Sequence, residues 1–299
     1  DLTAPSIIIF DADCDEKFGL VSTHLLGGKD GKTAQRAASD MMELITANKG
    51  KVPVRYPNTA DDLQAIKFTG GSSGMPKGVM QTYRVFNSCI TSMLAAFGFE
   101  SNDRHLLAAP MTHGANTMIL PIFAVGGTQL LMGQPSPAAI LDAIDRMRAT
   151  TIFVPPTVCY MMLEEDRIND VNLTSLRHFI IGGATIRPDV VGRAMPIFNH
   201  AMETCFGQTE VPQIAICMRA RDWQDPKNYA STGRATCMTK IGIMDEAGNL
   251  LPPGHDGEIV LAGDLVMKGY YKMPDQTAKT IIDGWLHTGD VGLIDDRGF

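Results

Sequence analysis

The sequence predicts an α/β protein, helix-wrapped around largely parallel sheets, with a smaller antiparallel β subdomain behind it. Three observations carry this. Short β-branched and apolar runs alternate with segments of helical period from Pro137 to Gly207, the order that builds a parallel sheet covered by helices. Each run ends at glycine or proline, as strands leading into turns do. Beyond Ala235 the texture changes to two strand-like runs across a polar turn, the signature of a hairpin.

The elements follow in order. Residues 7–10 form a short apolar strand, a polar glycine-rich stretch comes next, and residues 39–48 are expected to be helical. Residues 56–62 are a connection bearing proline and aspartate, and 63–68 form a strand that delivers a glycine-rich loop, Thr69 to Gly78. Residues 79–81 return as a strand. Thr82 then caps a helix on which Phe86, Cys89, Ile90, Met93, Leu94 and Phe97 recur at helical spacing. A helix over 138–148 presents Ile140, Ile144 and Met147 on one face, and strand 151–154 stops at Pro155-Pro156. Strand 178–181 ends at Gly182-Gly183, a helix starts near Pro188, and strand 201–206 ends at Gly207. Ligands of such sheets gather beyond the carboxyl ends of the strands, where Gly182-Gly183-Ala184 and Phe206-Gly207-Gln208 are expected to stand. Residues 239–244, the turn 245–249 and residues 258–262 make the hairpin. The expected organisation is a core over 1–235 and a β-rich subdomain over 236–299.

Composition narrows the function. The 299 residues are 44% hydrophobic and 20% charged, ordinary for a globular chain. The net charge of −7 and the scattered basic residues disfavour nucleic acid as a partner. The longest apolar stretch, near 118–132, is interrupted by Gly126-Gly127, Thr128 and Gln129, so no integral membrane segment is expected. The six cysteines include no C-x-x-C pair and no zinc spacing, and they read as reduced thiols of a cytoplasmic protein.

The loop T-G-G-S-S-G-M-P-K-G carries the most chemistry. Its glycines let backbone N–H groups curl around an anion, Ser72 and Ser73 add hydroxyls, and Lys77 adds charge. A rival motif fails. Gly27 to Thr33 looks like a Walker loop, but that pattern needs four residues between its glycines, and only Gly28, Lys29 and Asp30 separate Gly27 from Gly31. Two further segments matter. Cys205-Phe206-Gly207-Gln208-Thr209-Glu210 sets a hydroxyl and a carboxylate just past a strand end, suited to a phosphate and to Mg²⁺. Trp285-Leu286-His287-Thr288-Gly289-Asp290 sets a carboxylate in a glycine turn, suited to a ribose diol. Singly, each has an ordinary structural reading; jointly and in this order, they point to a nucleotide site.

These three segments resemble the signature motifs of the adenylate-forming superfamily, which includes acyl-CoA synthetases and nonribosomal peptide adenylation domains. Pro110-Met111-Thr112-His113-Gly114, Ser231-Thr232-Gly233-Arg234 and Gly257-Glu258-Ile259 also fit, and the resemblance covers roughly Leu63 to Phe299. It implies an acetyl-CoA synthetase-like fold and ATP, Mg²⁺ and coenzyme A as cofactor and co-substrates, with a small-molecule carboxylate as the acid. The pattern puts Ser72, Ser73, Gly74 and Lys77 on the β- and γ-phosphates, with Thr69, Gly70 and Gly71 of the same loop also counted as nucleotide-binding. Thr209 falls on the α-phosphate and Glu210 on the metal. Gly183, Ala184, Phe206 and Gly207 surround the adenine, Gln208 counts among the nucleotide-binding residues, Asp290 holds the ribose, and His113 lines the acyl pocket.

Departures are few. The loop replaces the family's usual T-S-G-T-T-G yet keeps both hydroxyls, Phe206 stands where a tyrosine is usual, and Tyr83 stands where a histidine is common. The resemblance also implies more chain before the phosphate loop and a C-terminal lysine-bearing domain absent from these residues. The expected function is an acid-thiol ligase, an acyl-CoA synthetase acting on a fatty or other hydrophobic acid. A carrier-protein adenylation domain, an acyl-AMP ligase and a non-catalytic nucleotide-binding module are the alternatives.

Overall fold

The computed structural model describes residues 8–10, 38–40, 46–52, 57–69, 76–109, 111 and 114–299. The chain divides into two compact units, Asp1–Asn58 and Thr59–Phe299. In the first, β1 (Ile8–Phe10) pairs in parallel with β2 (Ala38–Asp40), Ile8 opposite Ala38. This corrects the helix expected over 39–48. Ser39 and Asp40 are strand residues, residues 46–47 are helical, and 41–45 lie outside the described residues. Serine and aspartate compete with helical hydrogen bonding through their own side chains, so a strand partner outweighs the local pattern. The Walker-like segment 27–33 also lies outside the described residues.

The second unit begins with β3 (Leu63–Thr69) and β4 (Lys77–Thr82), an antiparallel pair. Helix α1 (Tyr83–Phe97) follows at once. The Thr82 hydroxyl accepts from the Val85 N–H as cap, and Cys89, Met93 and Phe97 are buried as the spacing predicts. The chain then runs through β5 (Arg104–Leu107), α2 (Gly114–Ala124), β6 (Thr128–Leu131) and α3 (Pro137–Met147). Next come β7 (Thr151–Val154), α4 (Pro156–Leu163), β8 (His178–Gly182), α5 (Pro188–Ile197) and β9 (Met202–Phe206). With β10 (Ile216–Met218) and β11 (Arg234–Ala235), these strands form one sheet in the order β11-β10-β9-β8-β7-β5-β6. It is parallel from β6 through β9, and β10 and β11 add an antiparallel edge.

Helices cover both faces of this sheet, and strand alternation divides the core accordingly. Ile152, Val154, Phe179 and Ile181 pack with Ile140 and Ile144 of α3 and Val191 of α5. The intervening Phe153 and Ile180 join Cys89, Met93, Met118 and Ile122 of α1 and α2. The five cysteines among the described residues are free thiols, as expected.

The remaining strands are β12 (Thr239–Met244), β13 (Gly257–Gly263), β14 (Gly269–Tyr270), β15 (Ile281–Ile282) and β16 (Trp285–Gly292), with α6 (Pro274–Thr280) between β14 and β15. The expected hairpin is the antiparallel pair β12–β13, to which β16 and β15 add. Strand β14 departs from this sheet and extends the β3–β4 pair instead, Tyr270 opposite Val79. A core of Val79, Val211, Leu261, Leu265, Met267, Tyr270 and Leu286 joins the two antiparallel sheets. Among the described residues no helix is long and apolar enough to cross a membrane.

Candidate active site

The site lies beyond the carboxyl ends of β8 and β9, neighbours in register with Gly182 opposite Cys205. Buried hydrophobic strands end there, so the two loops that follow are held rigidly at their bases. Gly183 turns the first loop with a φ of +87°, a conformation glycine adopts without a Cβ penalty. The second loop carries Gly207, Gln208, Thr209 and Glu210, all half-buried. Between them opens a cleft of about 300 Å³ whose lining includes Gly183, Ala184, Phe206, Gly207, Gln208 and Asp290. Asp290 comes from β16, far along the chain. The Gln208 Nε2 donates to its Oδ2 at 2.9 Å and to the Thr288 carbonyl oxygen at 2.9 Å, tying the two segments together.

The turn that holds Asp290 is itself braced. Glu258 accepts from the Gly289 N–H at 2.9 Å with one oxygen, and its other oxygen lies 2.7 Å from His287 Nδ1. The Thr288 hydroxyl donates to the Ile259 carbonyl oxygen and accepts from the Asp290 N–H. Glu258 thus gains a definite task, orienting the Thr288-Gly289-Asp290 turn.

Lys77 and Glu210 meet through a residue that the motifs do not include. Tyr270 donates its hydroxyl to Glu210 Oε1 at 2.7 Å, while the Lys77 ammonium stands 4.8 Å from the centroid of the Tyr270 ring. Burial first, then the bond to Glu210, pushes the Tyr270 phenol well above its usual pKa, so it stays a donor. The Gln81 Nε2 donates to the Thr209 carbonyl oxygen at 2.8 Å, and the Met267 N–H donates to the Glu210 carbonyl oxygen at 2.8 Å. A continuous path therefore runs from Lys77 through Tyr270 to Glu210, and along the loop through Gln208 to Asp290. Thr69 pairs with Lys77 at the end of the β3–β4 ladder, and its hydroxyl has no hydrogen-bond partner among the described residues. Gly70, Gly71, Ser72, Ser73, Gly74 and His113 lie outside the described residues.

A second cleft, about 650 Å³, adjoins the first and shares Gly183, Gly207 and Gln208 with it. Its wall includes Phe68, Ala109, Gly114, Phe153, Pro155 and Pro212. Several contributors escaped sequence reasoning. Tyr229 lines the smaller cleft, beside Ser231 and Thr232 of a segment that the sequence did single out, and Lys67 and Gln81 line the larger. The alternation Lys77, Val79, Gln81 is the signal that puts Gln81 on the loop lysine's side of the hairpin; the Gly269-Tyr270-Tyr271 aromatic pair is the signal for Tyr270.

What these loops can do chemically is to present, around one edge of the sheet, an ammonium, a hydroxyl and two carboxylates next to a mainly apolar chamber. Glu210 suits a magnesium ion, because Tyr270 fixes one of its oxygens and Mg²⁺ needs only one or two carboxylates when phosphates supply the rest. Among the described residues no cluster of three or more His, Cys, Asp or Glu forms a protein-only metal cage.

Comparison with known proteins agrees with this architecture. A medium/long-chain-fatty-acid–CoA ligase of Mycobacterium tuberculosis is 31% identical over 239 residues, 80% of this chain and 42% of that protein. A feruloyl-CoA synthase of an Amycolatopsis species is 33% identical over 250 residues, 83% of this chain and 50% of that protein. The chain thus spans about half the length of these relatives. The solved structure of an amide bond synthetase from Marinactinospora thermotolerans superposes with a TM-score of 0.87 at 25% identity, covering 99% of this chain and 59% of that one. The model of the family described as AMP-binding enzyme matches residues 6–271. With that stretch matched, most of its length, the chain belongs to the AMP-binding enzyme family.

Proposed function

We propose that these residues are the nucleotide- and acyl-binding core of an ATP-dependent acid-thiol ligase that makes an acyl-CoA, in a cytoplasmic protein. The carboxylate attacks the α-phosphorus of ATP, forming acyl-AMP and releasing pyrophosphate; the thiol of coenzyme A then attacks the acyl carbon and AMP leaves. The observation that carries this reading is the path from Lys77 through Tyr270 and Glu210 to Gln208 and Asp290, alongside two adjoining clefts. The smaller cleft suits adenosine, with Phe206 at the base, Gly183, Ala184, Gly207 and Gln208 around it, and Asp290 on the ribose. The larger suits a hydrophobic acyl chain, in keeping with relatives named for fatty and feruloyl acids.

In this reading Lys77 and the loop from Thr69 to Gly74 neutralise the β- and γ-phosphates, and the Thr209 hydroxyl donates to the α-phosphate. Glu210 would hold Mg²⁺, whose charge would offset that on the leaving pyrophosphate, and the resemblance assigns His113 to the acyl pocket. No protein nucleophile is needed, so the rate comes from positioning and charge stabilisation. Residues 1–235 form the binding core and 236–299 the β-rich part that brings in Asp290. Carboxylate-dependent pyrophosphate exchange by the full-length protein tests the reading, with coenzyme A and a phosphopantetheinyl carrier compared as acceptors. Lys77→Ala and Glu210→Ala should each lower exchange by about a hundredfold, the usual cost of removing one preorganised charge-stabilising group. Unaltered exchange in both variants would overturn the assignments.

A further inference from the structure

The larger cleft is not uniformly apolar. In the β3–β4 ladder Lys67 stands opposite Val79 and Gln81 opposite Ala65, on the same face as the Thr69–Lys77 pair. At about 7 Å per two strand residues, Lys67 and Gln81 sit about 7 Å and about 14 Å along the strands from the phosphate end. Both line the cleft, and both also line its narrow extension beside Phe86, Ile90, Asn116 and Leu120.

Each carries an unmet hydrogen-bonding capacity. The Lys67 ammonium is 5.3 Å from the Phe86 ring centroid and has no carboxylate or hydrogen-bond partner among the described residues. Burial lowers its pKa, a sign that its charge is costly where it stands. Gln81 is 1% exposed; its Nε2 is used on Thr209, and its Oε1 has no partner among the described residues. A buried polar atom left without a partner is destabilising, so a ligand that completes both groups gains what a hydrocarbon cannot.

A hydroxyl accepts a hydrogen bond from an ammonium and donates one to an amide oxygen at the same time. A second carboxylate would meet Lys67 but set an acceptor against the Gln81 acceptor. A plain hydrocarbon tail would leave both unmet. We propose that the acid taken by this cleft carries a hydroxyl group remote from its carboxylate, received between the Lys67 ammonium and the Gln81 amide oxygen. The inference rests on the ligase reading and narrows its substrate class from hydrophobic acids to hydroxylated ones.

The test uses the full-length protein and matched acids: phenylpropanoate against its para-hydroxy counterpart, and a medium-chain fatty acid against its ω-hydroxy and dicarboxylate counterparts. In pyrophosphate exchange, kcat/KM should favour the hydroxylated member of at least one pair by about tenfold to a hundredfold, as expected for a hydrogen bond to a charged group. Lys67→Met should reduce that ratio to about twofold while Lys67→Arg keeps most of it, and Gln81→Leu should reduce it as well. Plain acids used as well as hydroxylated ones, a preference for the dicarboxylate, or a ratio that survives Lys67→Met would each overturn the inference and leave the ligase reading standing. Absence of exchange with every acid would instead remove the ligase reading. Calorimetric titration with the same pairs then decides the cleft's preference directly, equal affinities counting against it.

Discussion

Replacing Tyr270 by phenylalanine isolates one bond in the proposed metal site. Tyr270 is 4% exposed, and its hydroxyl meets Glu210 Oε1 at 2.7 Å. Phenylalanine keeps the ring, so the core around Val79 and Leu286 loses no volume and the Lys77 ammonium keeps its aromatic face. What is lost is a hydrogen bond to a charged acceptor, about 1.5–3 kcal/mol. Glu210 is half-buried, and water can replace part of that bond, which puts the loss at about 1.5 kcal/mol or tenfold in an equilibrium. With Glu210 free to swing, the KM for magnesium-ATP should rise about fivefold to tenfold and stability to urea should fall by about 1 kcal/mol. Tyr270→Ala differs in kind. It empties a buried aromatic site at about 3–5 kcal/mol and removes the ring beneath Lys77. Exchange rates across a magnesium-ATP grid and urea unfolding measure both quantities. A Tyr270→Phe protein with native magnesium dependence, or effects that add simply with those of Glu210→Gln, would refute the idea that Tyr270 positions this carboxylate.

Two further predictions concern stability. Gly233 has a φ of +118°, and a Cβ there would run into the Cys217 carbonyl group, so Gly233→Ala should cost about 3 kcal/mol or more in urea unfolding; a native melting profile would contradict this close approach. His105 is fully buried, its Nδ1 lies 2.7 Å from Gln129 Oε1, its Nε2 has no partner among the described residues, and burial lowers its pKa to about 4. The unfolded chain takes up this proton near pH 6.5 and the folded chain only near 4, so stability is complete above 6.5 and falls by about 3 kcal/mol as the pH drops through that window. His105→Gln should flatten the acid limb of the stability curve, and an unchanged limb would assign it to other groups.

The parallel α/β core was legible because its signals are local. Residues 151–154 and 178–181 are apolar runs long enough for one strand, and the α1 positions Cys89, Met93 and Phe97 repeat with the helical period, so burial follows from sequence spacing alone. The same holds for the strand-end loops at Gly183 and Gly207. The segment near Ser39 misled because its helical composition lost to a strand pairing that no local pattern encodes. Tyr270 was hidden for a related reason. Its two-residue strand leaves the neighbouring sheet to join β4, and this register brings its hydroxyl to a carboxylate 60 positions away. Gln81 reaches Thr209 across 128 positions, and Lys67 faces the same chamber only because the β3–β4 register turns odd-numbered residues of both strands to one side. Sequence determined which chemistry the chain carries and on which elements; tertiary pairing decided which side chains share a cleft, since contacts between distant segments depend on sheet register and packing.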